Sequence, residues 1–408
     1  MRTLPPTGVP ITSTDIAQGL MASLGGPAST ERFVAAFASR FGVKYCRAVG
    51  SGRAALSIAL QALGQLSRRR GIVIPAYTSF SVPAAIVRAG FRVTLCDVDP
   101  ATLDFDLDHL GSLVDDNTLA VMPNHLFGFP AALEPIAAIA RGRGAFVVED
   151  AAQAMGARYK GRLAGTLGDV GIYSLGRGKN ITALDGGIVV TNSAAIAAAL
   201  AQIAVEAAPR LPPLTDLAKA SLLGVLIRPA LFGWPERIPG LDLGVSKFEP
   251  EFPLKAFNAF RAGIAGAMLD KLDHFTAIRR TNAARYQARL DRDVAAPVEA
   301  VRHAEPCFLR LPVLAASASS RVRLVATLRA AGLGASAPYP ACLADVPGLR
   351  PHLVGRPGPL TGARRVVDRL LTLPTHPLVT PADIDAICAR ITTETDQEAA
   401  GTPGQRVA

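Results

Sequence analysis

"VVEDAAQAMGARYKGRLAGTLGDVGIYSLGRGKN", residues 147–180, decides how the rest of the chain is read. It opens on a β-rich run ending at Glu149 and Asp150, with Gln153 one helical turn later. It closes on a second strand-like run ending at Ser174, then sets one lysine, Lys179, among glycines and small residues. A carboxylate at a strand end is often only an N-cap, and a lysine on a glycine loop is often only a basic tip. A phosphate-gripping P-loop would need GxxxxGK[ST]. Here Asn180 follows Gly178-Lys179 and Tyr173 stands where the first glycine belongs, so that reading fails.

Outward from this stretch the pattern repeats. "GIVIPAY" (71–77), "RVTLCDVD" (92–99), "TLAVMP" (118–123) and "AFVVE" (145–149) are short apolar runs. The helical "SVPAAIVRAG" (81–90) and "LEPIAAIARGRG" (133–144) lie between them. Strand and helix in alternation predict an α/β domain with a mainly parallel sheet and helices on both faces. Ligands of such sheets sit beyond the carboxyl ends of the strands, where Gly50–Gly52, Asp150 and Ser174 fall. Residues 32–62 read as two helices broken by a turn, and 258–290 as one long helix. "CFLRLPVL" (307–314), "RVRLVATLRAAG" (321–332) and "TPADIDAICARI" (380–391) suggest a smaller α+β domain. The expected division is a large domain over 1–250, a small C-terminal domain over 251–395, and a polar, disordered tail over 396–408.

Composition narrows the function classes. The chain has 408 residues, 50% apolar, enough to bury two cores. No stretch reaches the roughly 18–20 apolar residues of a membrane span, and "MRTLPPTGVPITSTD" lacks a signal peptide's apolar core, so the cytoplasm is expected. Five scattered cysteines without CxxC or zinc spacing read as reduced core thiols, with no metal site. The formal charge of +10 is spread along the chain with no aromatic-interleaved basic stripe, which argues against nucleic acid and for an anionic small substrate. Residues 206–253 hold eight prolines and the apolar "ASLLGVLIRPALFGWP". This insert reads as a dimer- or domain-packing segment, or as an apolar lip for a lipid-linked substrate or a membrane surface.

"GSGRAA" (50–55) has the outline of a dinucleotide loop, yet no acidic residue between 50 and 96 could hold a ribose hydroxyl. It remains a glycine turn feeding a helix, suited to a phosphate. Phosphate cup, Asp150 and Lys179 together fit a pyridoxal phosphate site. That chemistry needs a lysine to condense with the aldehyde and an acid to keep the pyridine nitrogen protonated.

The ordered set PAYT (75–78), CDVDP (96–100), NHLFG (124–128), VEDAAQAMGARYKGRLAGTLGDVGIYS (148–174), Lys179 and DGGIVVTN (185–192) resembles the DegT/StrS family of aminotransferases. "LDKLDHFTAIRRTNAARY" (269–286) and "RVVDRLLTLPTHPLVTPADIDAI" (365–387) resemble that family's small domain, so the similarity runs from about residue 30 to 392. The resemblance implies a fold-type I pyridoxal-phosphate enzyme, a homodimer with its active site between subunits, that moves an amino group from an amino acid such as glutamate to a nucleotide-linked keto-sugar. An apolar or lipid-linked keto substrate and a non-catalytic regulatory relative are the alternatives.

Carried over by position, Lys179 would be the Schiff-base lysine and proton shuttle and Asp150 the partner of the pyridine nitrogen. Gln153 would lie near the phenolic oxygen. Ser174 and the Ser51, Gly52 and Arg53 turn would hold the phosphate. Tyr77, His125 and His376 are candidates for substrate contact. Three positions depart from the family. Ser79 occupies the slot of an aromatic on the cofactor face, leaving Phe80 or Tyr77 to stack. Asp185 replaces a glutamate, and Leu254 stands where a partner-subunit asparagine is expected.

Overall fold

The computed structural model describes residues 2–208, 214–233 and 247–400. After helices α1 (Ser13–Leu24) and α2 (Pro27–Phe41) come β1 (Tyr45–Val49), α3 (Gly52–Leu66), β2 (Gly71–Pro75) and α4 (Ser81–Arg88). The alternation continues with β3 (Arg92–Cys96), α5 (Leu107–Leu113), β4 (Thr118–Val121), α6 (Leu133–Gly142) and β5 (Phe146–Asp150). A hairpin of β6 (Arg158–Tyr159) and β7 (Arg162–Leu163) then leads to β8 (Val170–Ser174), β9 (Gly187–Thr191) and α7 (Ala194–Gln202).

These strands form a seven-stranded sheet in the order β1-β9-β8-β5-β4-β2-β3. Every pair from β3 across to β8 is parallel, and β9 runs against both its neighbours. Strands β2, β4, β8 and β9 are buried along their whole length, as expected where helices cover both faces. The predicted α/β architecture holds. Residues 32–62 differ from the prediction: they contain a strand, β1, between α2 and α3. "YCRAV" carries Arg47 and is only half-buried, so it lacks the apolar signature of its neighbours.

Helix α2 shows how local sequence positions the site. Phe33, Phe37 and Phe41 recur every four residues and share one buried face. Phe37 and Phe41 stack at 4.1 Å, and both meet Tyr173 edge-on at 5.3 and 5.0 Å. Each buried ring contributes on the order of 2–3 kcal/mol. The Tyr173 hydroxyl donates to the Ala164 carbonyl at 2.7 Å. The next residue, Ser174, is thereby pinned at the strand end.

Helix α8 (Leu214–Leu226) belongs to the proline-rich insert, and no described helix is long and apolar enough to cross a membrane. Residues 258–290 hold two helices, α9 (Ala259–Asp270) and α10 (Leu272–Gln287), parted at Lys271. Lys271 binds the buried Asp15 of α1 at 2.5 and 2.7 Å. Phe260, Ile264, Met268 and Leu269 of α9 join the same core cluster as α2. The large body therefore reaches past the expected boundary at 250.

The small body contains β10 (Ala295–Pro297), β11 (Ala304–Glu305), β12 (Arg310–Ala315), α11 (Ala318–Ala330), α12 (Thr361–Arg369), β13 (Leu370–Pro374) and α13 (Pro381–Ala400). Strands β10, β12 and β13 make an antiparallel sheet, while β11 joins the β6–β7 hairpin. Helix α13 runs to residue 400, beyond the expected start of the tail at 396. The remaining tail residues, 401–408, lie outside the described ones.

Candidate active site

Parallel strands deliver the site residues to one edge of the sheet. Asp150 ends β5 and Ser174 ends β8; Ser51 caps α3 just after β1. A cleft opens there, lined by Asp150, Gln153, Lys179, Thr78, Ser79 and Ser81 among others. Asp150 is held in place by its backbone: its N–H donates to Pro123 and its carbonyl accepts from His125, at 2.9 and 3.0 Å. Its carboxylate accepts the Ala152 N–H at 3.1 Å. Burial raises the Asp150 pKa above the usual carboxylate range, opposed by that N–H and by the charge of Lys179. The Lys179 pKa moves the other way: burial lowers it, against the pull of Asp150. Lowered, the ammonium gives up its proton more readily and exposes a nucleophilic amine.

Behind Asp150 lies a saturated buried network. Glu149 Oε1 accepts N–H groups from Leu167 and Gly168 at 2.6 and 2.5 Å. Its Oε2 accepts the Gly165 N–H at 2.7 Å and meets His125 Nε2 at 2.9 Å. His125 Nδ1 accepts the Ala131 N–H at 3.0 Å, so Nε2 carries the hydrogen and donates. Both ring nitrogens are committed, and His125 lines the cleft beside Asp150.

His376 is likewise committed. Nε2 donates to the Pro5 carbonyl at 2.8 Å and Nδ1 accepts from the Leu378 N–H at 3.3 Å. Burial pushes its pKa down to about 4. Tyr77 is 2% exposed and its hydroxyl donates to the Pro338 carbonyl at 2.7 Å. The polar atoms of His125, His376 and Tyr77, the expected substrate contacts, are thus taken up by bonds within the protein, while His125 also lines the cleft. Phe80 is buried in the main core, while Ser79 and Ser81 on either side face the cleft.

The phosphate end is a cradle of small groups. Ser51 Oγ accepts the Ala54 N–H at 3.2 Å, leaving the first-turn N–H groups of Gly52 and Arg53 without intrahelical acceptors. A Cβ at Gly52 would lie 2.9 Å from Ser174 Oγ, so only glycine lets helix and serine approach this closely. An anion of phosphate size at a helix start beside a serine hydroxyl is what this space suits. The Arg53 guanidinium lies 4.9 Å from the Phe252 ring, and Arg261, Arg53 and Arg177 all act on nearby Asp185. Asp185 itself accepts the Gly186 N–H at 2.8 Å, and burial raises its pKa. Leu254 packs against the main core, and its neighbour Lys255 offers a carbonyl to the Gly50 N–H at 2.7 Å.

Two residues absent from the sequence reading reach this site from the small body. Gln153 Oε1 accepts the Phe127 N–H at 3.0 Å, and its Nε2 donates to the Tyr339 hydroxyl at 2.7 Å. Arg310, at the start of β12, acts on Lys179 through its charge. Neither carries a motif; only the fold brings them in.

Sheet order, two-body plan and site together are those of the fold-type I pyridoxal-phosphate transferases. Within that class the chain belongs to the DegT/DnrJ/EryC1/StrS aminotransferase family, whose sequence model matches residues 13–221 and 255–392. It is 42% identical over 144 residues to a pleiotropic regulatory protein of Geobacillus stearothermophilus, covering 35% of this chain and 38% of that one. It is 37% identical over 166 residues to a GDP-perosamine synthase of Caulobacter vibrioides, covering 41% and 44%. These matches span less than half the length of either relative. A sugar aminotransferase from Micromonospora echinospora superposes with a TM-score of 0.73 at 26% identity, covering 96% of this chain and 99% of that one.

Proposed function

We propose that the chain is a pyridoxal-phosphate-dependent aminotransferase that takes an amino group from an amino acid, glutamate in the first instance, and gives it to a keto-sugar on a nucleotide carrier. The product would serve cell-surface polysaccharide, glycolipid or natural-product synthesis. The observation that carries the reading is one cleft holding a buried amine and a buried carboxylate at the ends of parallel strands, with Ser174 set against the glycine start of α3. Bound pyridoxal phosphate supplies an aldehyde to carry the amino group and a ring that draws electrons from the reacting carbon.

The chain's own residues do the rest. Gly52, Arg53 and Ser174 would hold the phosphate, and Asp150 would keep a proton at the ring nitrogen. Lys179 Nζ would take up and return the proton. Gln153, clamped by Phe127 and Tyr339, would lie beside the bound group. Arg53 and Arg177 suit the diphosphate of a nucleotide carrier. A homodimer acting in the cytoplasm completes the proposal. Apolar side chains of α8, Leu222 at 57% and Leu214 at 83% exposure, keep a lipid-linked substrate or membrane contact as the second reading.

Absorbance of the purified protein with pyridoxal phosphate, before and after glutamate, tests the first reading beside Lys179→Ala. A visible cofactor band that glutamate bleaches, absent in the variant, is expected. No cofactor band in the parent protein would sink the enzyme reading and promote the regulatory one.

A further inference from the structure

Arg279 of α10 is the largest side chain buried outright among the described residues, at 0% exposure. One corner of it is fixed: Nη2 donates to the carbonyl of Asn180, the residue after Lys179, at 3.0 Å. Nε and Nη1 have no hydrogen-bond partner among the described residues. No described carboxylate balances the charge either. The group that acts on it is the Cys307 thiol, which burial holds protonated and neutral. Burial pushes the Arg279 pKa down to about 10, so at neutral pH the guanidinium keeps its charge. Buried charges are stable only when paired.

Two further polar atoms beside it are unpartnered. Thr276 lies one turn earlier on the buried face of α10, and its hydroxyl meets the backbone of Gly156, where a Cβ would come within 2.9 Å. Neither that hydroxyl nor Asn180 Oδ1 has a hydrogen-bond partner among the described residues. Asn180 Nδ2 stands 3.1 Å from Cys307 Sγ. The amide turned over fits the thiol better, its oxygen accepting the S–H and its NH2 facing where Oδ1 stood. The unpartnered groups are then all able to donate: guanidinium N–H, amide N–H and hydroxyl. A water molecule would accept from them and leave the charge standing. An anion takes the hydrogens and cancels the charge. Arg279, Thr276, Asn180 and Cys307 are all buried, so the ion that fits among them is a single atom.

We propose that Arg279, Thr276 and Asn180 bind a buried chloride ion beside the loop that carries Lys179. Chloride is singly charged and spherical, and it accepts hydrogen bonds from donors spread over several directions. Arg279 and Thr276 come from α10, Asn180 from the lysine loop, so the ion ties that loop to the helix. It is held for structure and takes no part in the reaction. The site needs neither cofactor nor substrate and stands apart from the aminotransferase reading.

The test equilibrates the full chain and its Arg279→Met variant overnight in sodium gluconate, chloride or bromide at one ionic strength, then melts each. In the parent protein both halides should raise the melting temperature above that in gluconate by about 5 °C, the shift for an ion about a hundredfold over its dissociation constant. Arg279→Met should show no halide shift. Parent crystals grown in bromide should give an anomalous peak in contact with Arg279 Nε or Nη1. Equal melting in all three salts, a halide shift that survives in Arg279→Met, or ordered water in place of the bromide peak overturns the proposal. Should Arg279→Met fail to fold, the bromide map decides alone. A halide shift and bromide peak in a protein that binds no pyridoxal phosphate would uphold the ion site while the aminotransferase reading fell.

Discussion

Glu149→Gln removes one charge and one oxygen from the network behind Asp150, and its effect can be worked out from four distances. Each carboxylate oxygen takes two donors: Leu167 and Gly168 on one, Gly165 and His125 on the other. Because the donors divide two and two, neither orientation of a glutamine amide escapes; two donors must face an NH2 group. The side chain is wholly buried, so water cannot replace the lost acceptor. Hydrogen bonds to a charged group are worth about 1.5–3 kcal/mol each, and losing two costs about 3–6 kcal/mol. Total stabilities run about 5–15 kcal/mol, so the variant stands near the threshold of folding. At about 2 °C per kcal/mol, the melting temperature should drop by about 6 °C or more. Thermal melts at neutral pH, with urea midpoints as a second measure, read this directly. A drop of under about 1 °C would refute the network as drawn, because no arrangement of four donors around a buried amide could leave stability intact.

Gly52→Ala would push a methyl group to within 2.9 Å of Ser174 Oγ; pyridoxal phosphate affinity, titrated by fluorescence, should weaken at least about tenfold while the fold survives. Lys179→Met should stabilise the cofactor-free protein, since burial lowers the lysine pKa and makes its charged form costly. With a lowered pKa the cost is full at low pH and fades as pH nears the ordinary lysine value of about 10.4. The melting gap between variant and parent should therefore narrow as pH rises. His376 stays neutral in the fold down to about pH 4, against an ordinary value of 6.5. The unfolded chain takes its proton first, so stability falls with pH across that window, by about 3 kcal/mol. Urea titrations should show a shallower acid limb for His376→Gln; an unchanged limb would acquit this histidine.

What the sequence revealed and what it hid follow from where the signals lie. Parallel strands covered on both faces advertise themselves as apolar runs, which is why β2 to β5 were readable. Strand β1 has a covered and an open side and an arginine in its middle, and it vanished between two helices. The break at Lys271 has no glycine or proline to mark it, and the lysine there pairs with Asp15, 256 residues away. Lys179 and Asp150 were legible because a short ordered motif carries both. Arg310 and Tyr339 were not, since they come from another body and acquire meaning only by facing Lys179 and Gln153. Histidines misled for the converse reason. A sequence shows a titratable ring but not the backbone groups of Ala131 or Pro5 that occupy it.

The proline-rich insert is fastened where it leaves the body and where it returns. Glu206 exchanges backbone hydrogen bonds with Leu254 and Ala256 at 2.7 and 2.8 Å. Further in, Asp216 of α8 grips Arg261 at 2.8 and 2.9 Å and Asn258 at 3.0 Å. Arg261 in turn touches the Gly50 carbonyl at 3.3 Å, beside the glycine turn. Such clasps couple α8 mechanically to the glycine turn: through Arg261, a substitution at Asp216 should be felt at Gly50.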